Sequence, residues 1–289
     1  MKILVAALTA AFAAGALPAG ASFDSGEAVT SLALAQDKQT PRLSNGRIET
    51  HATTNLARDL PALAATLAEP MWIGYAQPLI DGDHQMCDYW NNGTRYTQST
   101  DPIRLEPADF FFVMFRVEEK QITRIRTYSA NCPLDAGGKA VHWFTNVSVS
   151  DSVNYMKTFM APAQTRKFND SAVTVLALTE GDQPLNELLS IARDGSTASV
   201  KGNALFWLAQ RAGARAVGTI TAAIENDPDT EVKKKAVFAL SQLPKDEGVP
   251  LLIQQARTNK NPAVRKQAMF WLGQSKDPRA LKFFEEILK

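Results

Sequence analysis

Two cysteines and two histidines are the residues of this 289-residue chain best suited to chemistry. His84 and Cys87 lie three positions apart, and Cys132 and His142 lie ten positions apart. Two sulfur and two imidazole ligands could hold zinc, although the second spacing fits no common zinc-finger pattern. A pair of histidines near acidic residues could also serve an enzyme as acid and base. Either use requires a fold that brings these side chains together.

The competing use of the two cysteines is a disulfide bond. Cys87 and Cys132 are the only cysteines of the sequence, and their bond would close a loop of about 45 residues. A loop of that length is worth about 3–4 kcal/mol, because the bond removes entropy from the unfolded chain. Disulfide bonds persist in oxidising compartments, so the choice between bond and metal depends on export.

The first residues of the chain predict export. Lys2 carries a positive charge, residues 3–17 are almost wholly apolar, and residues 19–21 are small. This order is typical of a secretory signal that is cleaved after export. The apolar run is shorter than the roughly 20 residues that span a bilayer. We therefore expect a signal peptide at residues 1–21, a periplasmic or secreted protein without stable membrane insertion, and the disulfide rather than a metal.

Composition and missing motifs narrow the functional classes. The chain carries 31 basic and 30 acidic side chains, and this balance argues against a nucleic-acid partner. It has no phosphate-binding loop and no dinucleotide-binding glycine pattern after a strand. The spacing of His84 and His142 meets no template for zinc hydrolysis, and no nucleophile elbow is present. We expect no cofactor, and a binding protein rather than an enzyme.

A repeat with a period of 32 residues occupies the second half of the chain. Each copy carries a valine, an alanine and a leucine four positions apart: Val200, Ala204 and Leu208; Val232, Ala236 and Leu240; Val264, Ala268 and Leu272. This spacing places the three side chains on one face of a helix. Thr197, Asp229 and Asn261 precede these helices at the capping position. A second helix follows in each copy and a looser copy comes first, so we predict an all-α solenoid of four helix pairs over residues 166–289.

These copies resemble HEAT repeats, and most closely the HEAT-like repeats of phycobilisome lyases. The helix pattern Val-Lys/Arg-x-x-Ala-x-x-x-Leu carries the resemblance, together with residues 270–275 of the last copy. The resemblance implies a protein-binding scaffold, because only a minority of such proteins are enzymes. It also implies a ladder in which an aspartate before one helix meets a basic residue of a neighbouring repeat. Asp229, Lys233 and Arg265 match that ladder, whereas Thr197, Gly202 and Asn261 depart from it.

The middle of the chain predicts an α+β domain at residues 46–165, after a flexible leader at residues 22–45. Its expected elements are a helix at 55–67, a strand at 71–80, a hairpin of strands at 110–117 and 122–128, a strand at 141–147 and a helix at 151–160. Gly137 and Gly138 predict a loop before the last strand. Residues 132–138 resemble a segment of exported bacterial HEAT-repeat proteins of unassigned function.

Two functional hypotheses follow from these features. The first is an exported, non-enzymatic scaffold for protein–protein interaction. Its partner surface would be the outward side of the second helices, at Gln254, Gln255, Lys282 and Glu286, with the basic pair Lys233 and Lys234 as a solvated face or a site for an acidic partner. The alternative is an enzyme or metal-binding protein that uses His84, Cys87, Cys132 and His142.

Overall fold

The computed structural model describes residues 39–82, 84, 86–87, 89–91, 94–96, 108–161, 164–212 and 214–288. The predicted signal and the leader up to residue 38 lie outside the described residues. Within those ranges, no helix is long and apolar enough to cross a membrane. Residues 38–289 form one compact unit, which contains both the predicted α+β region and the repeats.

The N-terminal part combines a five-stranded sheet, a small hairpin and two helices. Its strands are β1 (Leu43–Ala52), β2 (Met71–Pro78), β3 (Tyr89–Asn91), β4 (Thr94–Tyr96), β5 (Phe110–Glu118), β6 (Gln121–Ser129) and β7 (Leu134–Thr145). Its helices are α1 (Leu56–Ala64) and α2 (Val149–Thr158). Asn55 and Ser148 begin the two helices, since each side chain accepts a hydrogen bond from a backbone amide of the first turn.

The large sheet is mixed, with the strand order β1-β7-β2-β5-β6. β1, β7 and β2 run parallel to one another, whereas β2, β5 and β6 are antiparallel neighbours. Because side chains alternate between the faces of a strand, the sheet carries two separate apolar clusters. The helices cover the face that carries Ile73, Tyr75 and Phe115, and we call it the helix side. The other face carries Phe112 and Trp143, and we call it the open side.

The structure corrects three details of the predicted α+β region. Leu43 to Asn45, expected in a flexible leader, belong to β1. Gly137 and Gly138, expected in a loop, lie within β7, where their positive φ angles of 61° and 77° interrupt the regular pairing. α2 begins at Val149, slightly before the predicted start. The first two corrections share one cause: β1 finds its partner about 90 residues later, and no local pattern announces that pairing.

The C-terminal part is the predicted solenoid. Its helices are α3 (Arg166–Leu178), α4 (Asp182–Asp194), α5 (Ala198–Ala212), α6 (Ala214–Asn226), α7 (Thr230–Gln242), α8 (Lys245–Thr258), α9 (Pro262–Gln274) and α10 (Pro278–Ile287). The central alanines of the first helices, Ala204, Ala236 and Ala268, are completely buried. Small side chains at these points let neighbouring repeats approach closely.

The sheet and the solenoid pack against each other directly. The backbone amide of Ile80, after β2, donates to the carbonyl of Leu178 at the end of α3, with an N···O distance of 3.0 Å. The amide of Glu180 returns a bond of 3.0 Å to Pro78. The buried cluster on the helix side of the sheet continues without a break into the repeats. The first repeat therefore ends against the sheet rather than against solvent.

Candidate functional site

The predicted disulfide between Cys87 and Cys132 is present, with the two Cα atoms 5.2 Å apart. Cys132 lies three residues after the end of β6, and Cys87 precedes the small hairpin β3–β4. The amide of Met86, beside Cys87, donates to the Ser129 hydroxyl at 2.9 Å, so hydrogen bonds reinforce the same junction. The bond ties the segment after β2 to the end of β6.

The alternative site at His84, Cys87, Cys132 and His142 does not form. Both sulfur atoms are joined to each other, and His142 lies on the helix side of β7, whereas the disulfide borders the open side. The Nε2 atom of His84 lies 3.1 Å from the backbone oxygen of Asp81, within its own turn. Across the described ranges, no group of three or more side chains is arranged to hold a metal. His84 and His142 therefore have separate partners: His84 contacts Asp81 and Ser129, whereas His142 lies against β1.

His142 instead meets His51, a residue that sequence reasoning did not select. The parallel register of β1 and β7 sets Glu49 beside His142 and His51 beside Phe144. The Nε2 atom of His51 lies 3.0 Å from Nδ1 of His142, and Glu49 Oε2 lies 3.5 Å from that same Nδ1. His142 is buried, and its Nε2 atom has no hydrogen-bond partner. Only the pairing of β1 with β7 could have revealed this cluster.

Burial lowers the pKa of the His142 imidazole, and the repulsion of His51 and Arg47 adds to this effect. The carboxylate of Glu49 opposes it without reversing the direction. The imidazole of His142 is therefore neutral at neutral pH. The pair can share one proton between two ring nitrogens, and this bond fastens the edge strand β1 to β7.

The open side of the sheet carries a pocket of about 360 Å³. Trp72, Met114 and Val141 form its floor, one from each of β2, β5 and β7. The first part of β7 forms a wall, with Leu134, Asp135 and Ala136, and Leu43 from β1 lies beside it. The disulfide, Pro133, Arg126 and Tyr128 complete the described lining.

This wall exists because the first half of β7 diverges from β2 while it stays paired with β1. β7 pairs with β2 only from Val141 to Trp143, although it pairs with β1 along most of its length. The left-handed backbone at Gly137 and Gly138 marks the change of direction. Leu134 and Ala136 then pack against the cluster on the open side. The sequence predicted only a loop at Gly137 and Gly138, so the pocket was not predicted.

The floor of the pocket depends on a glycine. A Cβ atom at Gly74 would lie 2.5 Å from the sulfur of Met114 and 2.6 Å from the ring of Trp143. These distances are far shorter than any real carbon contact, so only glycine lets both side chains lie across β2. Trp143 is 1% exposed and meets Phe112 edge to face, at 5.1 Å between ring centroids. The floor is therefore close-packed beneath the cavity.

Arginines from β5 and β6 lie on the open side of the sheet. Arg126 Nη1 donates to the Tyr128 hydroxyl at 3.1 Å, at the border of the pocket. The Arg116 guanidinium lies 5.5 Å above the ring of Trp72, a cation–π contact, and also pairs with Glu118 at 3.1 Å. The hydrogen bond from Arg116, followed by one from Thr123, lowers the pKa of the Glu118 carboxyl. Arg116 is thus neutralised by a local carboxylate, whereas Arg126 donates to a neutral hydroxyl.

The solenoid presents a stripe of aligned side chains on its first helices. We define the first-helix stripe by residues that recur every 32 positions: Phe206, Phe238 and Phe270, with Gln210, Gln242 and Gln274. The rings of Phe206 and Phe238 stack at 5.8 Å with an angle of 3° between their planes. Gln210 donates its side-chain amide to Gln242 at 3.4 Å. Phe270, in the last repeat, is 53% exposed.

The residues predicted to face a partner on the second helices divide into two groups. Gln254, Lys282 and Glu286 are exposed, and Glu286 forms an ion pair with Arg257. Gln255 is 4% exposed, so the expectation that it faces solvent is wrong. Its Oε1 atom accepts a hydrogen bond of 2.7 Å from Asn259 and thereby satisfies a polar group inside the repeat junction.

The basic residues of the first helices make structural contacts between helices. Lys201 Nζ pairs with Asp227 at 2.8 Å, Lys233 Nζ binds the carbonyls of Ile224 and Glu225, and Arg265 Nη1 binds the carbonyl of Asn259. Asp229 caps α7 instead of pairing, so the acid of the ladder is Asp227, two residues earlier than the resemblance implied. Lys234 pairs with Glu231 at 3.0 Å. Lys233 and Lys234 are half-buried, and both ammonium groups already bind acceptors of their own or the preceding helix.

Comparison with known proteins agrees with the repeat assignment. Residues 185–259 and 219–289 match the family described as HEAT repeats, so the C-terminal region carries HEAT repeats. One similar structure is the complex of CpcE and CpcF of phycocyanin lyase from Nostoc sp. PCC7120, with 16% identity, a TM-score of 0.37, and coverage of 48% of this chain and 89% of that chain. Another is YibA of Escherichia coli, with 22% identity, a TM-score of 0.33, and coverage of 48% and 54% respectively. No curated protein matched the chain.

Proposed function

We propose that this protein is an exported, non-enzymatic scaffold that binds a partner protein along its HEAT repeats. The observation that carries the proposal is the first-helix stripe, in which aromatic rings and side-chain amides recur at the spacing of the repeats. Solenoids expose such extended surfaces, while their stability comes from contacts between neighbouring repeats. Amide groups along the stripe can bond to a peptide backbone, and the phenylalanines can receive apolar side chains.

Two features support export. The segment at residues 1–21 has the composition of a cleaved signal, and the disulfide between Cys87 and Cys132 suits an oxidising compartment. Mass spectrometry of protein recovered from the periplasm or medium of the native host tests this directly. We expect a chain that begins after Ala21 and contains no free thiol. Full-length chain found only inside the cell would contradict export.

The use of the reactive side chains supports a non-enzymatic role. The cysteines are spent on a structural bond, and His142 is paired with His51 in the interior rather than presented in the pocket. The pocket holds no arrangement of a nucleophile with a base among its described lining residues.

Two matched variants test the partner surface. One combines Phe270→Ser with Gln274→Glu on the stripe, and the control combines Leu281→Ser with Gln254→Glu on the second helices. All four positions are exposed, so both variants should keep the melting temperature of the parent protein.

The assay is affinity capture from an envelope extract, followed by titration with the purified partner. We expect the stripe variant to lose at least about tenfold in affinity, since a few large side chains carry most of the energy of an interface and Phe270 is the most exposed ring of the stripe. The control should stay within about twofold. If only the control variant lost affinity, the partner would bind the second helices rather than the stripe. If both variants bound the partner as tightly as the parent protein does, the solenoid would be rejected as the binding surface.

A further inference from the structure

We propose that the pocket on the open side of the sheet binds a small amphipathic anion, a molecule with a flat apolar body and one carboxylate or sulfonate group. This site is separate from the first-helix stripe and goes beyond the scaffold function. The proposal stands on the shape of the pocket, on its apolar floor, and on Arg126, the one unneutralised cation among the described lining residues.

The size and lining of the pocket suit a small organic molecule. A volume of about 360 Å³ lies within the range of ligand sites. The lining combines an apolar floor with polar side chains at the border and wall, namely Arg126, Tyr128 and Asp135. Trp72, Met114 and Val141 offer an aromatic ring, a polarisable sulfur and a branched aliphatic surface on one floor. A flat apolar body can lie across that floor.

The polar groups of the border select an anion. Arg126 spends one N–H on the Tyr128 hydroxyl, which leaves four donors of its planar group for a ligand. Tyr128 accepts that bond, so its own hydrogen is available to donate. In the described part of the chain, no carboxylate lies within ion-pair distance of Arg126. A ligand carboxylate or sulfonate would receive bonds from both side chains.

Asp135 fixes the orientation of the ligand. It lies in the pocket wall on β7, and its Oδ1 atom accepts a hydrogen bond of 2.7 Å from the amide of Gly137. Its negative charge repels an anionic head group. The head group therefore lies at Arg126 on β6, and the apolar body extends over Trp72 and Val141 toward the wall.

A pair of fluorescent dyes provides the probe. Anilinonaphthalene sulfonate has an apolar aromatic body and one negative charge, and phenylnaphthylamine has the same body without the charge. Fluorescence titration of the full exported chain should show one saturable site for the sulfonate dye. Arg126→Met should weaken the sulfonate dye at least about tenfold, because it removes charge-assisted hydrogen bonds, and should leave the neutral dye unchanged. Asp135→Asn should strengthen the sulfonate dye by a few-fold.

Two controls distinguish the pocket from other apolar surfaces. Arg124→Met removes a cation from the same face of β6 but outside the pocket lining, so neither dye should change. Met114→Trp fills the floor and should abolish binding of both dyes, with the melting temperature checked for each variant. Sulfonate binding that survives Arg126→Met, or that falls equally with Arg124→Met, would overturn the assignment of the head group. Binding that survives Met114→Trp in a folded protein would overturn the pocket itself.

Discussion

The sheet and the solenoid bury their polar groups in different ways. In the solenoid Lys201, Lys233 and Arg265 occupy equivalent positions, and each contacts acceptors at the end of a second helix. Lys233 and Arg265 bind backbone carbonyls at the end of the preceding second helix, whereas Lys201 pairs with a carboxylate at the end of the following one. In the sheet each polar group has its own arrangement, such as Tyr75 with Ser152 at 2.9 Å and His51 with His142 at 3.0 Å. A polar contact that recurs in several repeats can be changed in one copy while the others remain. A polar pair that occurs once in the sheet is lost if either of its two residues is replaced.

Buried polar atoms without a hydrogen-bond partner occur in both parts of the described chain. They are His142 Nε2, Gln77 Oε1 and Asn131 Oδ1 in the sheet region, and Trp271 Nε1 in α9 of the solenoid. An unpaired buried polar group costs about 1–3 kcal/mol, so the sheet needs other sources of stability. The disulfide and the packing of the sheet against α3 supply them. The sheet region is therefore the part of the molecule that responds most to redox conditions and pH.

Loss of the disulfide should give the largest effect and is the strongest test of this contrast. The double variant Cys87→Ser with Cys132→Ser should lower the free energy of unfolding by about 3 kcal/mol. Hydrogen exchange should rise mainly in β6 and in the first part of β7, while α7 to α10 keep their protection because they contain no cysteine. Equal loss of protection in the last repeats would show that sheet and solenoid unfold as one unit.

The pair of Lys201 and Asp227 tests how far the solenoid tolerates change. Burial alone would raise the pKa of Asp227, but the hydrogen bond from Lys201 and the backbone bond from Asp229 hold it below its usual value. The side chain of Asp227 is 7% exposed, so Asp227→Ala strands a mostly buried lysine and should cost about 2 kcal/mol.

Asp227→Asn is the matched control. The next repeat carries Asn259 at the equivalent position, where the side chain accepts from the amide of Asn261 at 2.9 Å. The asparagine variant keeps that bond and loses only the ion pair, so it should cost about 1 kcal/mol. Urea denaturation measures both. If Asp227→Asn lowered the free energy of unfolding as much as Asp227→Ala does, the junction would depend on the charge of Asp227. The asparagine found at the equivalent position of the next repeat would then not be able to replace it.

The repeats were predictable because their signal is local in sequence. Valine, alanine and leucine at four-residue spacing identify one helix face, and the 32-residue period then identifies its neighbours, so the amino-acid sequence alone is enough to predict the solenoid. The histidine cluster on the sheet depends on strand pairings such as that of Glu49 with His142. These residues are far apart in sequence, and no periodic pattern in the sequence indicates that they meet. The disulfide was predictable because only two cysteines exist. The pocket was not, because its wall depends on a bend at Gly137 and Gly138.

The histidine pair predicts how the sheet responds to acid. The pKa of His142 in the folded protein lies below its usual value of 6.5, so the unfolded chain binds the proton more readily. The contribution of His142 to the free energy of unfolding is therefore fully present above pH 6.5. It is lost as the pH falls through 6.5 toward the pKa of His142 in the folded protein. His142→Gln should flatten this decline in melting temperature, whereas His84→Gln, at a histidine in a surface turn, should leave it intact. An unchanged decline in His142→Gln would assign the response to other groups.

The smallest expected effect concerns the turn between β5 and β6, and it is the one case in which the sheet should gain stability. Glu119 and Lys120 occupy left-handed backbone conformations, with φ angles of 52° and 63°. A two-residue hairpin with this geometry favours Asn-Gly, since asparagine tolerates positive φ and glycine carries no penalty there. Glu119→Asn with Lys120→Gly should raise the free energy of unfolding by about 0.5–1 kcal/mol. Val237→Ala, in the core of α7, serves as a sensitivity control for the same urea assay and should lower that free energy by more than about 1 kcal/mol. A turn variant that is less stable than the parent would show that the side chains of Glu119 and Lys120 contribute more than their backbone strain costs.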